Sequence, residues 1–183
     1  MSDLYQIGTV AQVKQVLNLP GDSIRVLVEG KSRAILRAVT QEAPYFEAAL
    51  DELIPASVPE SMETDALLRT AHNYFEEFCR MSGRISGETM QTVLDVEEPG
   101  ELADAIAANV LQKVEDRQQV LEEFDDLTRL ESICAMLVRE TELAGVEKKV
   151  QARVRKQIEQ NQKDYYLREQ IKAIQTELGD KDA

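Results

Sequence analysis

The sequence has no tryptophan and a single histidine, His72, and its two cysteines, Cys79 and Cys134, lie far apart and outside any C-x-x-C spacing. One histidine excludes a histidine-based metal cluster and leaves at most one imidazole base. Two isolated cysteines fit reduced thiols better than a disulfide framework. The eight glycines form neither G-x-x-x-x-G-K-[ST] nor G-x-G-x-x-G, so no phosphate cradle can be built from them. No apolar run approaches the ~20 residues that span a bilayer, and the N-terminus does not resemble a signal peptide. The expectation is a cytoplasmic protein. Positive charge is scarce: 21 Lys and Arg face 34 Asp and Glu, for a net charge of −13. Nucleic acid and anionic membranes are therefore poor partners, because phosphate binding needs a positive face. Proline is confined to the first hundred residues (Pro20, Pro44, Pro55, Pro59, Pro99), and residues 101–183 hold only Gly145 and Gly179 as glycines. The second half is free to be almost all helix.

What is present divides into two kinds of pattern. The 183 residues are 43% apolar, enough for one or two domains with a core. Residues 9–17 carry Val10, Val13 and Val16, and β-branching favours strand there over helix. Ile24, Val26 and Val28 alternate with Ser23, Arg25 and Leu27, which predicts a strand with one mostly buried face. Pro20-Gly21-Asp22 between them is turn chemistry, so the two form a hairpin. A second turn at Glu29-Gly30-Lys31 is expected to lead into residues 33–39, with Ala34, Ile35, Leu36 and Val39 apolar. Residues 45–53 read as a fourth strand or as the start of a helix. Residues 54–59 are a linker with two prolines.

Helical spacing begins near Glu60. Met62, Ala66, Leu67, Ala71, Tyr74, Phe75 and Phe78 form a stripe ending at Met81. Ser86-Gly87-Glu88 starts a short helix with Met90, Val93 and Leu94. Pro99 suits the first turn of the next, which carries Leu102, Ala103, Ile106, Ala107 and Val110. Another runs from about Val114 to Phe124. Asp125 or Asp126 is a good N-cap for the longest. There Leu127, Leu130, Cys134, Leu137, Thr141 and Ala144 keep a heptad seam. Val146, Val150, Val154 and Ile158 then recur every four residues, and residues 159–164 are wholly polar. Leu167, Ile171, Ile174 and Leu178 restore one face, and Gly179 is a natural stop. With no proline after Gly145, helix is expected throughout, spanning ~78 Å at ~1.5 Å per residue, with Gly145 the place for a kink.

Two stretches carry a resemblance. Asp164-Tyr165-Tyr166-Leu167-Arg168-Glu169-Gln170 resembles the segment of bacterial Lon-family ATP-dependent (AAA+) proteases that leads into the ATPase module. Asp3-Leu4-Tyr5-Gln6-Ile7-Gly8-Thr9-Val10 is similar to the run that opens the second part of that family's N-terminal, PUA-like β domain. The match continues through Leu19-Pro20-Gly21, Val26-Leu27-Val28-Glu29-Gly30 and Arg33-Ala34. The resemblance implies an N-terminal region lacking the first strands of the β domain and lacking the ATPase and protease domains. The expected fold is α+β: a partial antiparallel β domain over residues 1–58, a helical subdomain over 59–126, and a long projecting helix over 127–183.

No catalytic, cofactor-binding or metal-binding residue is assigned. His72 sits beside the stripe of the first helix and reads as structural. Glu97, Glu98, Glu101, Glu122, Glu123, Asp125 and Asp126 read as solvated faces and first-turn acids. Lys148, Lys149, Arg153, Arg155 and Lys156 cluster without interleaved aromatics and read as a solvated helix face pairing with acids. Met62, Met81, Met90 and Met136 read as core. The family's Ser-Lys dyad and its ATP- and Mg-binding residues lie, by resemblance, in modules this chain does not contain. The resemblance implies a non-catalytic region that recognises unfolded or damaged proteins and supports a homohexamer. On its own the chain is expected to be a monomer or weak dimer. The competing reading is a coiled-coil oligomerisation or scaffold element that binds no client.

Overall fold

The computed structural model describes residues 4–21, 23–54 and 58–179. Asp3, Asp22, the middle of the expected linker at 55–57 and residues 180–183 lie outside the described residues. Three antiparallel strands, β1 (Ile7–Leu19), β2 (Ser23–Gln41) and β3 (Glu47–Glu52), form one sheet in the order β1-β2-β3. Five helices follow: α1 (Met62–Ser82), α2 (Gly87–Leu94), α3 (Pro99–Val110), α4 (Val114–Glu122) and α5 (Asp126–Gly179). The molecule is thus α+β, with a small sheet, a helical body and one long helix.

The expected turn at Glu29-Gly30-Lys31 does not form, and the described residues hold three strands rather than four. β2 runs through Gly30, which pairs with Ala11, and register shifts between Val10 and Ala11 and between Val13 and Gln15 absorb the irregularity. A Cβ on Gly30 would lie 3.2 Å from Thr9 Cγ2, so the glycine permits close strand contact rather than a reversal. The segment left open between strand and helix is strand β3. It pairs only with the far part of β2, from Ala34↔Glu52 to Gln41↔Glu47.

The expectation of a buried strand face fails for the same geometric reason. The outer half of the β1–β2 ribbon extends past β3 and past the helices, so nothing covers it. Ile24, Val26 and Val28 are 64%, 46% and 54% exposed, with Val13 and Val16 beside them equally open. Register places Val16 opposite Val26 and Val13 opposite Val28, which makes one apolar face of the ribbon.

The helices start where local chemistry allows. Ser61 caps α1 by accepting from the Thr64 N–H at 3.0 Å, and Ser86 caps α2 by accepting from Thr89 N–H at 3.1 Å. Pro99 stands at the first turn of α3. Asp125, rather than Asp126, caps α5, its Oδ1 accepting from Thr128 N–H at 2.8 Å. α4 stops at Glu122, short of Phe124.

The core of the body joins Phe75 and Phe78 of α1, Val93 of α2, Leu102 and Ile106 of α3, and Leu130, Ile133 and Leu137 of α5. The α5 seam therefore closes on its own chain. The α1 stripe is shifted from the expected one. Thr64, Ala71, Phe75, Phe78 and Cys79 are buried, whereas Met62 is 90% exposed, and Ala66 and Tyr74 also face outward. Of the four methionines read as core, Met136 is buried, and Met81 and Met90 are half-buried. Gly100 lets α3 approach α5, since a Cβ there would come within 2.6 Å of Arg129 Nη2 and of the Asp126 carboxylate.

Beyond Gly145, α5 leaves the body. It continues unbroken through Gly145 and through the polar run 159–164, and every residue from 146 to 179 is exposed. At ~1.5 Å per residue the projection is ~50 Å long.

Candidate functional site

The sheet meets the body along one seam. Ala34 is the one buried residue among the described residues of the sheet. Beside it Arg33 reaches across to α3, donating to Asp104 Oδ2 at 2.9 Å and Oδ1 at 2.5 Å, and its Nε donates to the Leu121 carbonyl at 3.1 Å. The two-pronged geometry fixes direction as well as distance. Gln118 of α4 donates to the Ile7 carbonyl at 3.0 Å, which ties β1 to the same place.

Behind Asp104 lies a second arginine. Arg129 is 3% exposed. It donates to the Glu123 carbonyl at 2.7 Å and to Asp126, and its Nε lies 3.4 Å from Asp104 Oδ1 without a hydrogen bond. Asp104 thus stands between an arginine of the sheet and an arginine at the base of α5.

Next to this seam is a trough of about 580 Å³. One wall is β1 and β2, with Thr9, Gly30, Lys31, Ser32 and Arg33. The other is α3 and α4, with Asp104, Ala107, Ala108, Arg117, Val120 and Leu121. Arg117 donates to the carbonyls of Leu111 at 2.7 Å and Ala108 at 3.4 Å. Lys31 pairs with Glu29 at 2.9 Å, and Glu29 also takes Lys14 at 2.5 Å. Hydrogen bonds first from Lys14 and then from Lys31 hold the Glu29 carboxyl below its usual range.

The residues weighed in the sequence stand apart from this trough. His72 is half-buried, and its Nε2 donates to the Val96 carbonyl at 3.2 Å. It faces a second, more acidic hollow with Glu60, Asp65, Arg69, Glu97 and Glu98. Glu122 accepts from Gln118 at 2.9 Å, Glu123 accepts from Asp125 N–H at 3.0 Å, and Asp126 holds Arg129. These acids bond Gln118, the backbone before α5 and Arg129 in turn rather than facing one another as a reactive pair. The clustered Lys148, Lys149, Arg153, Arg155 and Lys156 of α5 are exposed, and Arg155 pairs with Glu159 one turn on, at 3.2 Å. Both cysteines are buried. Burial, aided by Glu131, pushes the Cys134 thiol up to about 11, and burial with Glu76 raises that of Cys79, so neither is poised as a nucleophile.

Among the described residues, no group of three or more His, Cys, Asp and Glu side chains is placed to hold a metal ion. No described helix is long and apolar enough to cross a membrane.

Sequence reading missed Asp104, Arg117 and Arg129. Asp104 and Arg33 are 71 residues apart, and no local period links them. Arg129 left no local signal either: charges flank Leu130 on both sides, at Arg129 and Glu131, and only the packing of α3 buries the first.

Residues 1–139 match the family model described as the ATP-dependent protease La (LON) substrate-binding domain. The chain is 45% identical over 180 residues to the Lon protease of Syntrophomonas wolfei subsp. wolfei, covering 98% of this chain and 22% of that protein. It is 46% identical over 179 residues to the Lon protease of Brevibacillus choshinensis, covering 98% and 23%. The chain therefore spans under a quarter of the length of these relatives. Its fold is similar to the solved N-terminal domain of a Mycobacterium avium complex Lon protease, with a TM-score of 0.58 and 24% identity, over 78% of this chain and 73% of that one.

Proposed function

The chain belongs to the family of Lon substrate-binding domains, and from that premise we propose that it holds unfolded or damaged protein segments for an ATP-dependent protease while performing no chemistry itself. The observation that carries this reading is the pairing of open apolar surface on the β1–β2 ribbon with a long projecting helix. A short-lived contact on the ribbon keeps a client near whatever follows α5. Tethering of this kind raises effective concentration without new contacts at the reacting centre. In the whole protein, ATP and Mg would be held by an AAA+ module and peptide cleavage done by a Ser-Lys dyad, neither of them in this segment. α5 would act as a strut that supports a hexameric ring. The working location is the cytoplasm. Function divides along the chain as a β platform to residue 58, a helical body to 126, and the strut beyond.

The test is binding of a reduced, unfolded lactalbumin followed by anisotropy, against its folded form. Selective binding of the unfolded form is expected, with no ATP hydrolysis and no cleavage. Equal affinity for both forms would remove the reading.

A second reading has its own observation. Val146, Val150, Val154 and Ile158 are 40–56% exposed on the projecting helix, a stripe that also suits self-association. Light scattering separates the two. A scaffold would form a tight oligomer that Ile158→Lys dissolves. A recruiting platform would be a monomer or a weak dimer, with any pairing through edge strand β1 weakened by Val10→Lys.

A further inference from the structure

We infer that the trough between the sheet and helices α3 and α4 binds an extended apolar peptide through an acidic side chain carried within it. This rests on the substrate-binding reading and adds to the apolar ribbon a second contact place, with its chemistry. The argument begins with charge. Residues 1–145 hold 12 basic and 27 acidic side chains, yet the trough is lined by Lys31, Arg33 and Arg117 against Asp104 alone. It is a positive pocket on a strongly negative body.

Its cations are not equally committed. Arg33 is neutralised by Asp104. Lys31 shares the single carboxylate of Glu29 with Lys14. Arg117 bonds only backbone carbonyls, and no carboxylate lies within 4.0 Å of it among the described residues. A guanidinium oriented by carbonyls and lacking a counter-ion presents a planar fork suited to a carboxylate. The wall beside it is apolar, with Ala107, Ala108, Val120 and Leu121. The trough opens to solvent between the sheet and helices α3 and α4, so a segment of chain can lie in it with an acidic side chain turned to Arg117.

The test uses the 183-residue chain and labelled, amidated peptides of sequence Ala-Val-Leu-Glu-Val-Leu-Ala and its Gln counterpart. The Glu peptide is expected to bind about tenfold more tightly, the scale of one charge-assisted contact, with the advantage shrinking at 0.5 M NaCl as screening increases. Arg117→Gln should erase the advantage. Ala108→Tyr, at an exposed position, should weaken both peptides by filling the trough while leaving the helical signal intact. Equal binding of the two peptides, or an advantage unchanged in Arg117→Gln, overturns the inference. A Gln peptide with a free C-terminus is the third arm, and if it matches the Glu peptide, the occupant is a chain end and the inference as stated falls. Unfolded lactalbumin measured in parallel separates the two levels. If it binds while the peptides tie, the trough is wrong and the substrate-binding reading stands. If no unfolded chain binds, both fall.

Discussion

The helical body and the far half of α5 are built from similar side chains and end in opposite states. In the body, Leu130, Ile133 and Leu137 of α5 are 0–1% exposed because α1 and α3 lie against them. From residue 146 onward the same helix carries Val146, Val150, Val154, Ile158, Ile171 and Ile174, all 40–56% exposed. Helical regularity alone therefore does not create a core. In the body it is fixed by burial. In the projection it rests on backbone bonds and on side-chain pairs one turn apart, such as Arg155–Glu159, Gln157–Asn161 and Gln170–Tyr166, each worth only a few tenths of a kcal/mol. The β1–β2 ribbon belongs with the projection in this respect.

The comparison breaks most directly on its aromatic and aliphatic anchors. Phe75→Ala removes a side chain that is 0% exposed, and should cost about 3–5 kcal/mol through lost transfer energy and a residual cavity. Ile158→Ala should change stability by less than about 0.5 kcal/mol, as exposed sites usually do. Paired urea titrations followed by circular dichroism measure both. A loss at Ile158 approaching that at Phe75 would show that the projection is packed in solution, against a second copy or against its own body.

Next in size are the contact of α3 with the start of α5 and, beside it, the seam between sheet and body. Gly100→Ala drives a Cβ to 2.6 Å from Arg129 Nη2 and Asp126. Arg129 is pinned and buried, so the strain should cost about 1–3 kcal/mol. Asp104→Ala strips the counter-ion from Arg33 and the nearest acid from Arg129 Nε. A fully buried pair would lose about 3–5 kcal/mol, but the Asp104 side chain is 42% exposed, and screening brings the expected loss to about 1–2 kcal/mol. Hydrogen exchange should show the loss concentrated in β1 and β2 near Ile7 and Ala34. Uniform loosening of α1 and α3 instead would mean that the seam carries the body and not only the sheet.

The parts of this architecture that were legible in the sequence are those set by neighbours in the chain. Ser86, Pro99 and the pair Asp125–Asp126 mark helix starts because capping is a matter of three residues, and the 3-4 spacing from Leu127 to Ala144 marks the face that is buried. Gly30 misled because glycine in a strand permits either a turn or close packing, and only the partner Thr9 decides between them. Ile24, Val26 and Val28 misled because alternation reveals a face, not whether anything covers it. The trough was invisible: Arg33, Asp104 and Arg117 come from three elements, and their meeting depends on how the sheet docks.

A smaller effect sharpens the junction where body becomes projection. Gly145 lies inside α5, and a Cβ there would meet only Met81 Sδ, at an ordinary 3.8 Å. Gly145→Ala should therefore raise helix stability by about 0.5–1 kcal/mol through reduced backbone freedom in the unfolded chain. The thermal midpoint should rise, with slower amide exchange just beyond residue 145. A fall instead would mean that the helix bends there in solution and uses the glycine to do so.

The smallest expected effect is a pH dependence at the other end of α5. The Asp125 carboxyl is held below its ordinary value of 3.8, first by the Thr128 backbone N–H and then by the Thr128 hydroxyl. A carboxylate whose folded value is depressed contributes stability that is fully present above the unfolded value. That contribution is lost as pH falls through the folded value. Asp125 should thus steepen acid unfolding below about pH 4. Asp125→Asn keeps a cap acceptor but cannot titrate, so it should flatten that limb slightly while leaving the neutral-pH midpoint nearly unchanged. The readout is the urea midpoint at pH 7 and at stepwise lower pH. The exposed segment from 146 to 179 has no part in this cap, so its amide exchange should not differ between the two proteins at any pH. An acid limb identical in wild type and Asp125→Asn would show that the Asp125 cap contributes nothing to acid unfolding.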